Sequence, residues 1–171
     1  MKKNTIILLE SERKESDTLH IVDEIFSANK TTCIDLLDKK ISPYNYNHTY
    51  PEDDQFMEII QHCLEFENII FATPVYWYSM SGILKIFFDR LTDITRAEKP
   101  FGRKLAGKSV AVIALGTDRE IPPGFEIPFQ STANYFNMHF LGSIYCCTKN
   151  IGLMDLNREK VNEFLKVIEI A

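Results

Sequence analysis

Apolar runs of strand length alternate along the chain with stretches in which apolar residues recur at helical spacing. The runs predict strands at Thr5–Leu9, Thr31–Leu36, Asn68–Ala72, Ser109–Leu115 and Leu141–Cys147. The helical spacing predicts helices over Asp17–Ala28, Phe56–Leu64, Met80–Thr92, Phe129–Phe140 and Asn157–Ile170. A continuously apolar strand is typical of a sheet that helices cover on both faces. The pattern therefore predicts an α/β fold in which strand and helix alternate five times.

Strands that are separated by helices predict a parallel sheet, because each crossover returns the chain to the same edge. Right-handed crossovers leave few topologies, and five strands best fit a three-layer α/β/α flavodoxin-like fold with strand order 2-1-3-4-5. No linker interrupts the sequence, so we expect residues 1–171 to form one domain. Ligands of such sheets bind at the carboxyl ends of the strands, so the loops after strands one, three and four are the candidate site.

Composition and charge narrow the classes of partner. The chain has 171 residues, of which 45% are hydrophobic and 25% are charged, as in ordinary globular proteins. Its formal charge of −5 argues against nucleic acid and anionic membranes as partners. No apolar stretch has the length of a membrane span. The four cysteines include no C-x-x-C pair and no tight ligand cluster, which predicts free thiols, no metal site and a cytoplasmic location: Cys33, Cys63, Cys146 and Cys147.

The loop after the first strand joins a buried strand to a helix start, where exposed N–H groups and the positive end of the helix favour a phosphate. Hydroxyl donors in this loop come from Ser11, Ser16 and Thr18. Arg13 adds a charged donor, and Asp17 opens the helix. The same residue types are also ordinary helix-capping residues, which is the alternative interpretation. Carboxylates that point into the loop would oppose a dianion, and the candidates are Glu10, Glu12, Glu15 and Asp17.

The loop after the third strand places three aromatic residues in a row, which are hard to bury together. It reads Pro74-Val75-Tyr76-Trp77-Tyr78-Ser79. Its backbone N–H groups suit the polar edge of a planar ring, and its aromatic side chains would shield that ring. A hydrophobic plug over the sheet or a subunit contact are the alternatives. The loop after the fourth strand begins at Gly116-Thr117 and would approach the ring from the other side.

Two of these segments resemble signatures of the flavodoxin-like NAD(P)H-dependent FMN reductases. Ser11-x-Arg13-Lys14-x-Ser16-x-Thr18 resembles the phosphate loop of that family. Thr73-Pro74-Val75-Tyr76, followed by Gly82-x-Leu84-Lys85 and Phe88-Asp89-Arg90, resembles its second signature. The resemblance runs from Ile6 to about Leu115. It implies FMN with its phosphate at the first loop, its isoalloxazine edge at the backbone of Pro74–Ser79 and the Gly116-Thr117 loop on the other side.

The resemblance implies an oxidoreductase that passes electrons from NADPH or NADH through FMN to a quinone, a flavin or a similar small acceptor. The flavin supplies the chemistry, so no catalytic side chain is expected. Lys85, Asp89 and Arg90 are interpreted as structural pairing or subunit contact. The aromatic residues of the second loop and the Tyr44–Tyr50 loop favour a homodimer or homotetramer.

Two alternatives stay open at this point. One is an FMN-binding electron-transfer module without nicotinamide turnover. The other is a flavin-less scaffold that acts by protein contact, which the acidic first loop favours. Glu10 stands where the family usually has a small residue, and the loop that begins at Gly116 is more charged than the usual glycine-rich loop.

Overall fold

Five parallel strands form one sheet in the computed structural model, which describes residues 4–11, 13–27, 31–148 and 158–168. The strands are β1 (Thr5–Leu9), β2 (Thr32–Asp35), β3 (Asn68–Pro74), β4 (Ser109–Gly116) and β5 (His139–Cys147). Their order is β2-β1-β3-β4-β5, and every neighbouring pair is parallel. The predicted flavodoxin-like strand order is confirmed. Because β1 and β3 are neighbours, the loops that follow them leave the sheet at adjacent points.

Helices cover both faces of this sheet, so the predicted three-layer arrangement is confirmed. The helices are α1 (Asp17–Phe26), α2 (Phe56–Cys63), α3 (Gly82–Arg90), α4 (Lys99–Arg103), α5 (Ile127–Tyr135) and α6 (Arg158–Val167). On one face, Ile21 of α1 and Phe164 of α6 belong to one buried cluster. On the other face, α2, α3 and α5 contribute Phe56, Phe87 and Phe129 to a second cluster. The central strands β1, β3 and β4 are buried on both sides because each side faces a helix layer.

The boundary between α5 and β5 differs from the predicted helix over Phe129–Phe140. The helix ends at Tyr135, and Asn137 turns the chain with a left-handed φ of 55°. β5 then begins at His139, which lies beside Ser109 of β4. Pairing with β4 outweighs the helical spacing of the apolar residues, because an unpaired buried strand edge would leave its backbone groups without hydrogen bonds.

The connection predicted over residues 95–107 contains the short helix α4. Pro100 lies in its first turn, a position that favours proline. Gly102 allows close packing, since an added Cβ would lie 2.3 Å from the carbonyl oxygen of Ile94. Five residues are too few to produce a visible apolar stripe, so periodicity missed this helix.

Other helix ends also differ from the sequence prediction. α3 is shorter than the predicted Met80–Thr92, because its first two predicted residues belong to the loop before it and its last two follow Arg90. The predicted helix ends at Ala28, Asn157 and Ile170 lie outside the described residues.

Arg90, at the end of α3, is buried and holds the irregular segment 39–55 against the helix. Its guanidinium donates two hydrogen bonds to Asp54, at 2.9 and 3.1 Å, and one to Asp93, at 2.6 Å. The guanidinium carbon also lies 3.4 Å from the ring centroid of Tyr50. Two roles were predicted for Arg90, structural pairing within the chain or a subunit contact. Its hydrogen bonds show structural pairing.

Hydrogen bonds stabilise the charged form of the buried Asp54 carboxylate. Burial opposes the charge of Asp54, but hydrogen bonds from Arg90 and from two backbone N–H groups outweigh burial and hold the pKa of Asp54 below its usual range. Asp93 accepts hydrogen bonds from Tyr50, at 3.1 Å, and contacts His48 Nδ1, at 2.7 Å. Tyr50 thus belongs to this internal network. Its presence in the sequence is no longer an argument for a subunit contact.

Three further features of the described residues bear on function. None of the helices in these ranges has the length and apolar character needed to span a membrane. No group of three or more His, Cys, Asp and Glu side chains in these ranges is arranged to hold a metal ion. All four cysteines are free thiols. The assignment of residues 1–171 to one domain stays a prediction.

Candidate functional site

A cavity of about 570 Å³ opens at the carboxyl edge of the sheet, between the loops that follow β1, β3 and β4. The strand register brings these loops together, because Leu9 lies beside Ala72 and Pro74 lies beside Leu115. The cavity collects predicted residues from all three loops: Ser11, Arg13, Ser16, Asp17, Thr18, Pro74, Val75, Tyr76, Gly116 and Thr117. Leu115 and Thr148 also line it, although the sequence did not single them out. Leu115 belongs to the buried strand β4 and Thr148 follows β5. Neither residue type points to a ligand site by itself.

The first loop folds onto the start of α1. Ser16 caps this helix, as predicted, since its Oγ accepts a hydrogen bond from the N–H of Leu19 at 3.1 Å. Ser11 Oγ donates to the carbonyl oxygen of Arg13 at 2.8 Å, so its proton closes a turn within the loop. Thr18 is buried in the cavity wall. The hydroxyl groups best placed to donate to a phosphate are therefore those of Ser16 and Thr18.

The described carboxylates of the first loop differ in their exposure and contacts. Asp17 lies 3.6 Å from the guanidinium of Arg13, and both side chains are half exposed or more. Glu15 is exposed, whereas Glu10, at the end of β1, is fully buried. Glu12 lies outside the described residues. Arg13 lies close to the Asp17 carboxylate and partly neutralises it, so the expected repulsion between this loop and a phosphate dianion is reduced.

Lys14 fastens the first loop to the end of β2. Its ammonium group contacts the carboxylates of Asp35, at 3.1 Å, and of Asp38. The hydrogen bond to Asp38 is the main cause that raises the pKa of Lys14. Lys14 is turned towards β2 by these contacts and does not line the cavity, so Arg13 is the basic side chain that does.

The second loop contains a tight turn with Trp77 and Tyr78 at its tip. We call these two residues the aromatic turn. The backbone groups of Tyr76 and Ser79 bond each other on both sides of it, at 2.9 and 3.0 Å. Trp77 and Tyr78 both have left-handed φ angles, 47° and 66°, which suit a two-residue turn but which residues other than glycine rarely adopt. Their side chains are 93% and 68% exposed, so the loop is not the hydrophobic plug that was an alternative.

A hydroxyl pair fastens the far end of the second loop. Thr73, at the end of β3, accepts a hydrogen bond from the N–H of Ser81 at 3.2 Å, and the two hydroxyl oxygens are 3.3 Å apart. Ser81 occupies the N-cap position of α3 but makes no side-chain cap bond. The Ser81 residue thus holds the loop to the strand instead of capping the helix with its side chain.

Hydrogen bonds within the second loop decide which of its N–H groups remain for a ligand. The N–H of Val75 donates to the carbonyl of Leu115 at 2.6 Å, and the residues that flank the aromatic turn bond each other. Within the described parts of the chain, the N–H groups of Trp77 and Tyr78 donate to no protein acceptor. Of the backbone predicted to contact the edge of a flavin ring, these two N–H groups are the donors available for it.

The loop after β4 is held in place by β5. An added Cβ at Gly116 would lie 2.5 Å from Tyr145 Oη, so only glycine lets Tyr145 pack over the loop. That hydroxyl donates to the carbonyl of Asp118 at 3.0 Å, and burial raises the pKa of Tyr145, which keeps the donated proton in place. The N–H of Thr148 donates to the carbonyl of Gly116 at 2.7 Å.

A smaller cavity of about 180 Å³ adjoins the main one and shares three lining residues with it: Val75, Gly116 and Thr117. The rest of its lining consists of Trp77, Tyr78, Asp118, Pro122 and Tyr145. We call this cavity the aromatic subsite. It brings the predicted residues Trp77 and Tyr78 next to the main cavity, whereas Ser79 lines neither cavity.

The main cavity fits FMN in size and in the chemistry of its donors. Its volume falls in the range of roughly 300–1,000 Å³ that is usual for cofactor sites. The start of α1, with Arg13 and Ser16, suits a phosphate. At the adjoining aromatic subsite, the N–H groups of Trp77 and Tyr78 suit the carbonyl and nitrogen acceptors along the edge of a flavin ring.

The sequence matches the family model of the NADPH-dependent FMN reductases over residues 4–146. The chain belongs to this family. YwqN of Bacillus subtilis (strain 168) is 34% identical over 98 residues, which are 55% of this chain and 54% of YwqN. An uncharacterized NAD(P)H oxidoreductase of the same strain, YdeQ, is 31% identical over 136 residues, which are 73% of this chain and 68% of YdeQ. The match with YwqN thus spans about half of that relative.

A solved structure supports the fold of this FMN reductase family member. The Trp repressor binding protein from Bacillus subtilis superposes with a TM-score of 0.76 and covers 98% of this chain and 99% of its own. The two sequences are 20% identical, so the likeness shows the flavodoxin-like fold alone.

Proposed function

We propose that this protein is an FMN-dependent oxidoreductase that takes electrons from NADPH or NADH and passes them to a quinone, a flavin or a similar small acceptor. The main support is the cavity at the carboxyl ends of the neighbouring strands β1 and β3, which three separate loops build from residues predicted to bind FMN. Family membership supports the same activity.

The residues of this chain would bind and orient FMN. Ser16, Thr18 and Arg13 would hold the phosphate at the start of α1, and Trp77 and Tyr78 would donate their N–H groups to the edge of the ring. When bound, FMN supplies two-electron chemistry between a reduced nicotinamide and an acceptor. In the net reaction NAD(P)H loses a hydride, and a quinone gains two electrons and two protons, the second proton from solvent. No protein acid or base is required.

A visible spectrum before and after anaerobic NADPH or NADH tests this proposal. We expect protein supplied with FMN to retain the flavin, with the visible absorbance of the oxidised flavin lost when the nicotinamide is added. A flavin-loaded protein that neither nucleotide bleaches would support the electron-transfer module instead. A protein that takes up no FMN would support the flavin-less scaffold.

We also propose a cytoplasmic homodimer or homotetramer whose interface borders the flavin. The exposed ring of Tyr46, at 87% exposure, and the exposed aromatic turn support an interface, and the free thiols support a reducing compartment. Light scattering is expected to give a mass of at least twice 19.8 kDa. A particle of 19.8 kDa at working concentration would contradict the oligomer.

A further inference from the structure

A cavity of about 400 Å³ opens at the amino edge of the sheet, on the side opposite the main cavity. It lies between α4, which precedes β4, and the end of α5, which precedes β5. β4 has eight residues, and at about 3.3 Å per residue it holds the two cavities roughly 25 Å apart. No described residue lines both of them. We call it the basic cavity, and its lining includes Ile94, Lys99, Gly102, Arg103, Tyr135 and Asn137.

Buried groups and backbone hydrogen bonds fix the floor of the basic cavity. Ile94 and Gly102 are buried there, and Gly102 packs so closely on the carbonyl of Ile94 that no side chain fits between them. Asn137 has a left-handed φ of 55°, and its carbonyl accepts a hydrogen bond from the N–H of Gly107 at 2.9 Å. This bond joins the end of α5 to the chain that follows α4, so the cavity is part of the fold.

The rim of this cavity is basic, although the chain has a net charge of −5. Lys99 and Arg103 are both exposed and lie one turn apart on α4. Within residues 4–11, 13–27, 31–148 and 158–168, neither of them forms an ion pair with a carboxylate. Residues 96–108 contain five basic residues and one acidic residue, Glu98, which does not line the cavity.

Unpaired basic side chains beside a cavity favour an anion. The side chains of Lys99 and Arg103 are long, and no protein acceptor in the described part of the chain holds their charged ends. Each can therefore turn its charged end towards an anion bound in the cavity that it lines. Two such donors suit a phosphate group, which accepts charged hydrogen bonds from both.

Tyr135 gives the cavity an aromatic wall. Its ring is 69% exposed and packs edge-on against Phe136, with the ring centroids 5.2 Å apart. An exposed aromatic ring next to basic side chains is typical of sites where a nucleic-acid base stacks. Asn137 also lines the cavity, and its amide offers both a donor and an acceptor to the edge of a base. The volume lies in the range of roughly 300–1,000 Å³ that is usual for small-molecule sites.

We propose that the basic cavity binds a mononucleotide, with its phosphate at Lys99 and Arg103 and its base against Tyr135. The two cations account for the phosphate, and the aromatic wall accounts for the ring. This site lies at the other edge of the sheet from the proposed flavin site, so it does not depend on the proposed oxidoreductase function.

Isothermal titration calorimetry tests the site with adenosine 5′-monophosphate (AMP), adenosine and inorganic phosphate as ligands. The protein is loaded with FMN and freed of excess flavin, so that the main cavity is occupied. We expect saturable AMP binding with a dissociation constant below about 1 mM, and weaker binding of adenosine and of phosphate. High salt is expected to weaken AMP binding, because salt screens exposed charges.

Substitutions on the rim test the two halves of the ligand separately. Lys99→Gln and Arg103→Gln are each expected to weaken AMP binding about threefold and to leave adenosine binding unchanged. Tyr135→Ala is expected to weaken the binding of both ligands about fivefold. Lys104→Gln is the matched control, since Lys104 is an exposed lysine next to Arg103 that does not line the cavity, and it is expected to change neither. All four side chains are exposed, so the variants keep the fold, as thermal melts would verify.

The outcomes are independent of the proposed function. Absence of saturable AMP binding to the FMN-loaded protein would overturn the site even if NADPH bleaches the flavin. An equal effect of Lys104→Gln and Arg103→Gln would also overturn it, because the attraction would then be diffuse. Phosphate that binds as tightly as AMP, with no effect of Tyr135→Ala, would overturn the mononucleotide as ligand. If the protein takes up no FMN, the proposed function fails, and the same titrations of the Arg13→Ala protein still test the basic cavity.

Discussion

Arg90→Met is expected to lower the free energy of unfolding by about 3–5 kcal/mol, because it leaves two buried carboxylates without their shared cation. Asp54 and Asp93 have side-chain exposures of 6% and 5%, so water cannot replace the lost hydrogen bonds. Urea denaturation at neutral pH measures the change. Lys85→Met is the matched control, since Lys85 forms an exposed pair with Asp89 on the same helix and its loss is expected to cost far less.

The loss in free energy of unfolding caused by Arg90→Met is expected to become smaller as the pH falls from 7 towards 4. In the wild type, hydrogen bonds hold the pKa of Asp54 below its usual value of about 3.9, so its contribution to stability is present above that pH and is lost only at lower pH. In the variant, burial of Asp54 without Arg90 raises its pKa, and the folded protein gains stability by taking up a proton. A loss in free energy of unfolding that does not change with pH would contradict this account. So would a loss no larger than that of Lys85→Met.

Arg13→Ala is expected to weaken FMN binding about tenfold, because one charged hydrogen bond to the phosphate is lost at a partly exposed site. Asp17→Asn is expected to act in the opposite direction, since it removes the carboxylate that lies 3.6 Å from the guanidinium of Arg13. Titration of flavin-free protein with FMN, followed by flavin fluorescence, gives both dissociation constants. The effect of Arg13→Ala is expected to shrink at high salt, because salt screens exposed charges.

Arg119→Ala provides the matched control for Arg13, since it removes an exposed arginine from a loop outside the main cavity. It is expected to leave the FMN dissociation constant unchanged. An unchanged constant for Arg13→Ala, or weaker binding by Asp17→Asn, would place the phosphate elsewhere in the cavity.

The sheet could be predicted from the sequence because its central strands β1, β3 and β4 are apolar on both faces. Runs such as Ser109–Leu115 have few other environments in which they are stable, and right-handed crossovers then restrict the strand order. The candidate site followed from the same reasoning, since ligand loops leave a parallel sheet at the carboxyl ends of its strands. Residue type identified Arg13 and Ser16 within those loops, and the Ser16 cap could be read from its place before the helix.

The tertiary structure decided what these side chains do. Ser11, Ser16 and Thr18 all carry hydroxyl groups, yet only contacts across the loop show that the proton of Ser11 is used on Arg13. Likewise, Arg90 could pair within the chain or with another subunit until the segment 39–55 was seen to wrap around it.

Local pattern by itself determined the alternation of strand and helix, the strand order and the three loops that form the candidate site. Contacts that apolar periodicity does not record decided the rest: α4, the end of α5, the left-handed aromatic turn and the aromatic subsite. The physical reason is that apolar periodicity records burial, which each segment of sequence carries locally. Hydrogen-bond partners, cavity shape and the balance of charges depend on which segments the folded sheet brings together.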